Sequence, residues 1–184
     1  MSELFGSRIA CGNTAYKRNQ SDFYPTPPEA TQALLDFLKL PKGTTVWESA
    51  CGEGHMVEVM QNNDLRVIAT DIQTGTDFLN AEMPTGVEWI ITNPPFSLAE
   101  QFIRKAYDHR VPFAMLLKSQ YWHAASRFNL FLQVTPSYVL PLTWRPDFLF
   151  KTRGKGSPLM DVMWCVWIPG YGRTRYLPLT KPKE

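Results

Sequence analysis

The apolar positions of the chain follow two alternating rhythms. Ala30, Ala33, Leu34, Phe37 and Leu38 recur at helical spacing after Pro27-Pro28 and stop at Pro41-Lys42-Gly43, which predicts an amphipathic helix of about three turns. Thr45-Val46-Trp47-Glu48 then reads as a short strand. Ser49-Ala50-Cys51-Gly52-Glu53-Gly54 follows as a glycine-bearing turn, and Met56 to Gln61 as the start of a second helix. The next strand runs from Leu65 to Thr70 and ends at Asp71. Trp89-Ile90-Ile91-Thr92 is another, ending at Asn93. A helix from Leu98 to Asp108 turns Phe102, Ile103 and Ala106 to one side. Phe113-Ala114-Met115-Leu116-Leu117 is apolar throughout, as a central parallel strand covered on both faces must be. Ala124 to Gln133 reads as helix, with Phe128, Phe131 and Leu132 inward. The ending differs, with Tyr138-Val139-Leu140 and Val162 to Ile168 as strands joined by a Gly- and Lys-bearing connection, as in a hairpin. The pattern therefore predicts an α/β fold. Its sheet is open, doubly wound and mostly parallel with a C-terminal antiparallel hairpin, and its ligands bind outside the carboxyl ends of the strands.

Residues 1–21 mix Gly, Ser, Asn, Lys and Arg without periodicity. They are expected to form an N-terminal arm, mobile or ordered by a partner and basic at Lys17 and Arg18. Residues 22–184 are expected to form a single domain. A chain of 184 residues that is 44% hydrophobic and 20% charged has globular usage and length for one sizeable core. Its net charge of +2 does not announce a nucleic-acid partner, so that question turns on where the basic residues lie. Cys11, Cys51 and Cys165 are odd in number and widely spaced, and there are three histidines. The set makes neither a disulfide framework nor a metal site, and a reducing cytoplasm is the expected location. No stretch approaches the roughly 18 apolar residues of a membrane span, and the N-terminus lacks the apolar core of a signal peptide.

Three polar features sit at predicted strand ends: Glu48 with the Ala50–Gly54 turn, Asp71, and Asn93 with Pro94-Pro95-Phe96. In a doubly wound sheet those ends converge on one crevice. Two prolines in succession lack N–H groups and hold Asn93 and Pro94 extended, which frees their oxygens to accept from a ligand. Phe96 adds a flat apolar face for a heterocycle. The same tetrapeptide could simply end a strand. Gly52 and Gly54 let the backbone approach a ligand ahead of a helix N-terminus, or serve only as a strand-to-helix turn. Asp71 suits a pair of ribose hydroxyls, because an ionised carboxylate only accepts, or else it caps a turn.

With these residues in this order, the sequence resembles the class I S-adenosylmethionine-dependent methyltransferases that modify the exocyclic amine of adenine in DNA. The matching segments run through most of residues 22–168. Asn93-Pro94-Pro95-Phe96 resembles the catalytic tetrapeptide of that family, and Glu48-Ser49-Ala50-Cys51-Gly52-Glu53-Gly54 its glycine motif. Asp71 resembles its ribose-binding acid, Asp77-Phe78 the pair that contacts the cofactor's adenine, and Asp22-Phe23-Tyr24-Pro25-Thr26-Pro27-Pro28 the element ahead of the first helix, beside the cofactor's methionine portion. Asp77 could equally cap the Phe78-Leu79-Asn80 turn, and Thr26 could be no more than a link between prolines. The short chain, with Arg145-Pro146-Asp147-Phe148 after a late strand, looks most like the small phage-type enzymes. The resemblance implies a Rossmann-like fold, S-adenosylmethionine as cofactor and DNA as partner.

Contact with DNA is assigned to Lys118, Arg145, Lys151, Arg153 and Lys155. The last three belong to a glycine-bearing basic loop within residues 143–160 that suits phosphate, although a solvated turn has the same composition. Tyr121 and Trp122 fit either the path of the target base or the core, and His55 and His123 read as structural or solvent-facing. Larger relatives in the resembled family carry a separate target-recognition region, for which this chain has room only in the arm and the 143–160 loop. Specificity would then be short, or supplied by a partner subunit or a homodimer. Two rival readings stay open. One is the same fold acting on adenine in RNA or on a protein glutamine amide, and the other is a catalytically silent partner subunit.

Overall fold

The computed structural model describes residues 24–148, 158 and 160–183. In chain order they form α1 (Pro28–Leu38), β1 (Thr45–Glu48), α2 (His55–Asn62), β2 (Arg66–Ala69), β3 (Trp89–Thr92), α3 (Ala99–Asp108), β4 (Phe113–Lys118), α4 (Phe128–Gln133), β5 (Tyr138–Pro141), β6 (Val162–Trp167) and β7 (Arg175–Tyr176). The strands make one sheet in the order β2-β1-β3-β4-β6-β5-β7. Strands β1 to β4 are mutually parallel, β6 runs antiparallel to both β4 and β5, and β7 is parallel to β5.

Side-chain alternation divides the core into two layers. Along β4, Ala114 and Leu116 face one layer with Val46, Ile91 and Trp164, which Ala30 and Leu34 of α1 and Met56 and Met60 of α2 cover. Met115 and Leu117 face the other with Trp47, Ile90 and Cys165, covered by Phe102, Ile103 and Ala106 of α3 and Leu130 of α4. Ile90, Ile91, Leu116 and Leu117 are fully buried, each worth about 1.5–3 kcal/mol on transfer from water. Two buried indoles of β6 also find acceptors, as such groups must. Trp164 Nε1 donates to the Ala30 carbonyl and Trp167 Nε1 to that of Val134, both at 2.9 Å. α1 starts at Pro28, where a missing N–H leaves no bond unmade, and ends at Lys39 in a left-handed conformation with φ 50°.

One feature of the ladder positions the site. β1 pairs with β3 at Val46–Trp89 and Trp47–Ile90, and the pairing goes no further. Past that point Glu48 stays opposite Ala69 of β2, while Thr92 stays opposite Met115 of β4. The two central strands part at their carboxyl ends, and a crevice opens between them.

Two expectations are revised. The expected helix over 124–133 is one short 3₁₀ turn, Ala125–Arg127, followed by a helix of six residues, Phe128–Gln133. That helix docks through Leu130 and Phe131, the latter stacked on Trp122 with ring centroids 4.0 Å apart. Phe128 and Leu132, four residues apart on the opposite face, are 66% and 65% exposed instead of inward. The expected antiparallel hairpin β5–β6 is present, with β6 inserted between β4 and β5 and buried at all six positions. The edge belongs to β7, a two-residue strand that the pattern did not announce. The N-terminal arm and residues 149–157 and 159 lie outside the described residues.

Candidate active site

A cleft opens at the carboxyl ends of β1, β2 and β3. Its wall includes Tyr24, Thr26, Glu48, Ala50, Cys51, Asp71, Asn93, Pro94, Pro95 and Phe96, all of which the sequence singled out. Each reaches the cleft for a local reason. Glu48, Asp71 and Asn93 are the residues at or just past the ends of adjacent strands, and Tyr24 to Thr26 lead into α1 across the mouth. Gly52 and Gly54 take φ of 49° and 85° and shape the turn beneath. A Cβ on Gly54 would meet nothing within 4 Å, so the requirement there is the left-handed backbone rather than space.

The turn is clamped by carboxylates. Asp71 Oδ2 accepts from the Gly52 N–H at 2.9 Å, and its Oδ1 accepts from the Gln73 N–H at 2.8 Å. Asp71 thus caps a 3₁₀ turn over Ile72–Thr74 while it binds the glycine turn, and lone pairs on its two oxygens remain. Glu48, 1% exposed, accepts at Oε1 from the Ala50 N–H at 3.1 Å and from the Thr92 hydroxyl at 2.5 Å. Burial is the main reason that its carboxyl is pushed up from 4.5 to about 7. The two hydrogen bonds oppose the shift, and the charge of Asp71 adds to it. The Cys51 thiol is also pushed up, first by burial and then by the carboxylates of Glu48 and Asp71.

Asn93 has a single consistent orientation. The Tyr24 carbonyl can only accept, so the amide atom 3.0 Å from it is Nδ2, which lies 3.0 Å from Thr26 Oγ1 as well. Oδ1 is left buried, with no hydrogen-bond partner among the described residues. An unpaired buried acceptor costs about 1–3 kcal/mol, and it becomes useful when a ligand brings a donor. Beside it, Phe96 and Tyr24 hold their rings 5.6 Å apart, with the Lys118 ammonium 4.2 Å from the Phe96 centroid and 5.4 Å from that of Tyr24.

Some expected residues are placed elsewhere. Asp77 accepts from the Leu79 N–H at 3.1 Å and from Asn80 Nδ2 at 2.5 Å, the turn-capping alternative. The Phe78 ring is 2% exposed and sits in the core, with centroids 5.0 Å from Trp47 and 4.7 Å from Phe102, so its side chain does not reach the cleft. Arg145 commits Nε to Asp161 at 2.7 Å, half exposed. Tyr121 is buried against Phe131, and the Trp122 indole donates to Met163 Sδ at 2.9 Å, so both take the core alternative. Lys151, Arg153 and Lys155 lie outside the described residues. Conversely, Glu53, His55, Met56, Ile72 and Gln73 also line the cleft. Ile72, 69% exposed directly after Asp71, is a large apolar residue left in the open at a strand end, and that position was its only signal.

The residues fit a cationic nucleoside-like ligand. Two carboxyl groups and the end of a glycine turn share the wall of the cleft with an aromatic pair and a buried acceptor. Among the described residues, no group of three or more His, Cys, Asp or Glu could hold a metal ion, and no helix is long and apolar enough to cross a membrane.

Sequence comparison finds no match to a protein-family profile or to a curated protein. Solved structures do match. A candidate class I S-adenosylmethionine-dependent methyltransferase from Listeria monocytogenes superposes with a TM-score of 0.57 at 13% identity, over 90% of this chain and 68% of that one. The modification subunit of a candidate type I restriction enzyme from Vibrio vulnificus gives 0.60 at 14% identity, over 90% of this chain and 49% of that subunit, so this chain spans about half its length. The 23S rRNA methyltransferase ErmE gives 0.53 at 12% identity, over 80% and 70% of the two chains. At such identities the likeness is one of fold: the described residues adopt the Rossmann-like α/β fold of the class I methyltransferases.

Proposed function

We propose that the protein transfers a methyl group from S-adenosylmethionine to the N6 amine of an adenine flipped out of DNA. The observation that carries this reading is Asn93. Its Nδ2 is pinned by Tyr24 and Thr26, so Oδ1 stays a buried acceptor with no donor among the described residues, next to Pro94 at the cleft wall. S-adenosylmethionine supplies an electrophilic methyl group on a cationic sulfonium. Glu48, Asp71 and the Ala50–Gly54 turn would hold it, since carboxylates in a poorly solvated wall favour a cation. An adenine amine is a weak nucleophile because its lone pair is delocalised into the ring. When its two N–H groups donate to Asn93 Oδ1 and the Pro94 carbonyl, the nitrogen is drawn toward tetrahedral geometry and its lone pair faces the methyl. The new nitrogen–carbon bond forms as the carbon–sulfur bond breaks, and the surplus proton leaves to solvent afterwards. Such fixed acceptors are worth about 3–4 kcal/mol each.

Phe96 would stack on the base, which reaches the pocket after leaving the duplex at a cost of a few kcal/mol. Lys118 and Arg145, with Lys151, Arg153 and Lys155, would contact phosphate. Recognition of sequence would be shared with a homodimer mate or a partner subunit. The test is incubation of the purified protein with methyl-labelled cofactor and DNA, RNA or protein in parallel. Label in DNA adenine is expected, and label in RNA or protein alone would overturn the choice of polymer.

A further inference from the structure

The parting of β1 and β3 leaves the glycine turn and the Asn-Pro-Pro-Phe segment on strands that no longer share a ladder. Each half of the cleft could then shift relative to the other. A side-chain bond crosses the gap, from the Thr92 hydroxyl to Glu48 Oε1 at 2.5 Å, between residues 0% and 1% exposed. Thr92 immediately precedes Asn93, and the Glu48 oxygen that receives its hydroxyl also receives the Ala50 N–H of the turn. A short bond between a hydroxyl and a carboxylate, shielded from water, is among the stronger non-covalent links available to a protein.

We propose that Thr92 is a positioning residue, and that its bond to Glu48 is a strut across the β1–β3 gap, fixing the cofactor-binding turn and the Asn93 acceptor at one separation. The proposal rests on the reading of Asn93 as the amine acceptor and of the cleft as the S-adenosylmethionine site. It also explains why so costly a group as a buried carboxyl stands at the end of β1. Asp71 from the end of β2 and Cys51 from the turn face the same carboxyl, and His55 and Glu53 line the same cleft. The Thr92 hydroxyl stabilises the ionised form against burial and the charge of Asp71.

Thr92→Val keeps the shape and removes the donor, whereas Thr92→Ser keeps the donor. In Thr92→Val, kcat should fall about tenfold, as expected for one lost bond to a charged group. The acid limb of its pH profile should move to higher pH, because the ionised carboxyl has lost its donor. Thr92→Ser should stay within about threefold of the wild type, with the limb in place. A Thr92→Val enzyme that superposes on the wild type in both respects overturns the strut, as does a Thr92→Ser enzyme as impaired as Thr92→Val. If the wild type labels no DNA, the choice of substrate fails, and the strut is judged on the pH dependence of S-adenosylmethionine binding in a calorimeter. There Thr92→Val should again move the limb to higher pH, and an unmoved limb overturns it.

Discussion

Asn93 donates through Nδ2 to the Thr26 hydroxyl at 3.0 Å, which ties the end of β3 to the segment that leads into α1. Asn93→Ala removes the acceptor and should lower methyl transfer about 10²–10³-fold, as for the loss of one preorganised group. Thermal shift by S-adenosylmethionine should survive, and loss of both together would make Asn93 structural. Thr26→Val frees one of the two pins, so kcat should fall about tenfold.

Lys118 covers the Phe96 face on which a base would stack, at 4.2 Å from the ring centroid. A bound base would displace the ammonium toward phosphate. Lys118→Met should therefore raise KM for DNA more than it lowers kcat, and reduce the slope of log affinity against log salt by about 1. Neutralising Lys151, Arg153 and Lys155 together should flatten that slope by about 3, one for each phosphate that loses its cation. An unchanged slope removes the residue concerned from the interface.

Glu48 links stability to pH with a definite sign. Its carboxyl ionises near 4.5 in the unfolded chain and at about 7 in the fold, so between those values the native state holds a proton that the unfolded state has released. This stabilisation is complete below about pH 4.5 and is lost as pH rises through 7, where the fold carries a buried charge at a cost of about 3 kcal/mol. Glu48→Gln should match the wild type at pH 5 and exceed it at pH 9 in denaturant midpoint, although with weaker cofactor binding. A difference that does not grow with pH would contradict the raised carboxyl.

Cys51 lines the cleft with its thiol pushed up by burial and by two carboxylates. Alkylation by iodoacetamide should be slow at pH 8 compared with an exposed thiol and should accelerate on the alkaline side. S-adenosylmethionine should protect Cys51, as mapped by mass spectrometry. Full reactivity in its presence would place the cofactor elsewhere.

The central strands were legible because a parallel strand covered on both faces is apolar along its whole length and stops where polar residues begin. Hence Glu48, Asp71 and Asn93 were found from the chain alone and share one cleft. What periodicity could not supply was set by distant partners. Phe128 and Leu132 have helical spacing, but Leu130 and Phe131 win the place against the core and leave them outside. Nothing in the apolar run Trp89-Ile90-Ile91 hints that the next residue, Thr92, meets Glu48, because that bond joins residues 44 apart in sequence. Asp77-Phe78 resembles a cofactor-contacting pair, yet the aromatic ring follows Trp47 and Phe102 into the core.

The reversal of β6 has a consequence for how this fold can acquire specificity. Pro141 lies opposite Met163 and Val162 opposite Lys118, so β5 ends and β6 begins at the end of the sheet that carries the cleft. The chain between them leaves and returns on the cleft side. Residues added there would lie beside the cleft and leave the described ladders intact. The reversed strand thus makes that connection a port through which the fold can be extended at its cleft end.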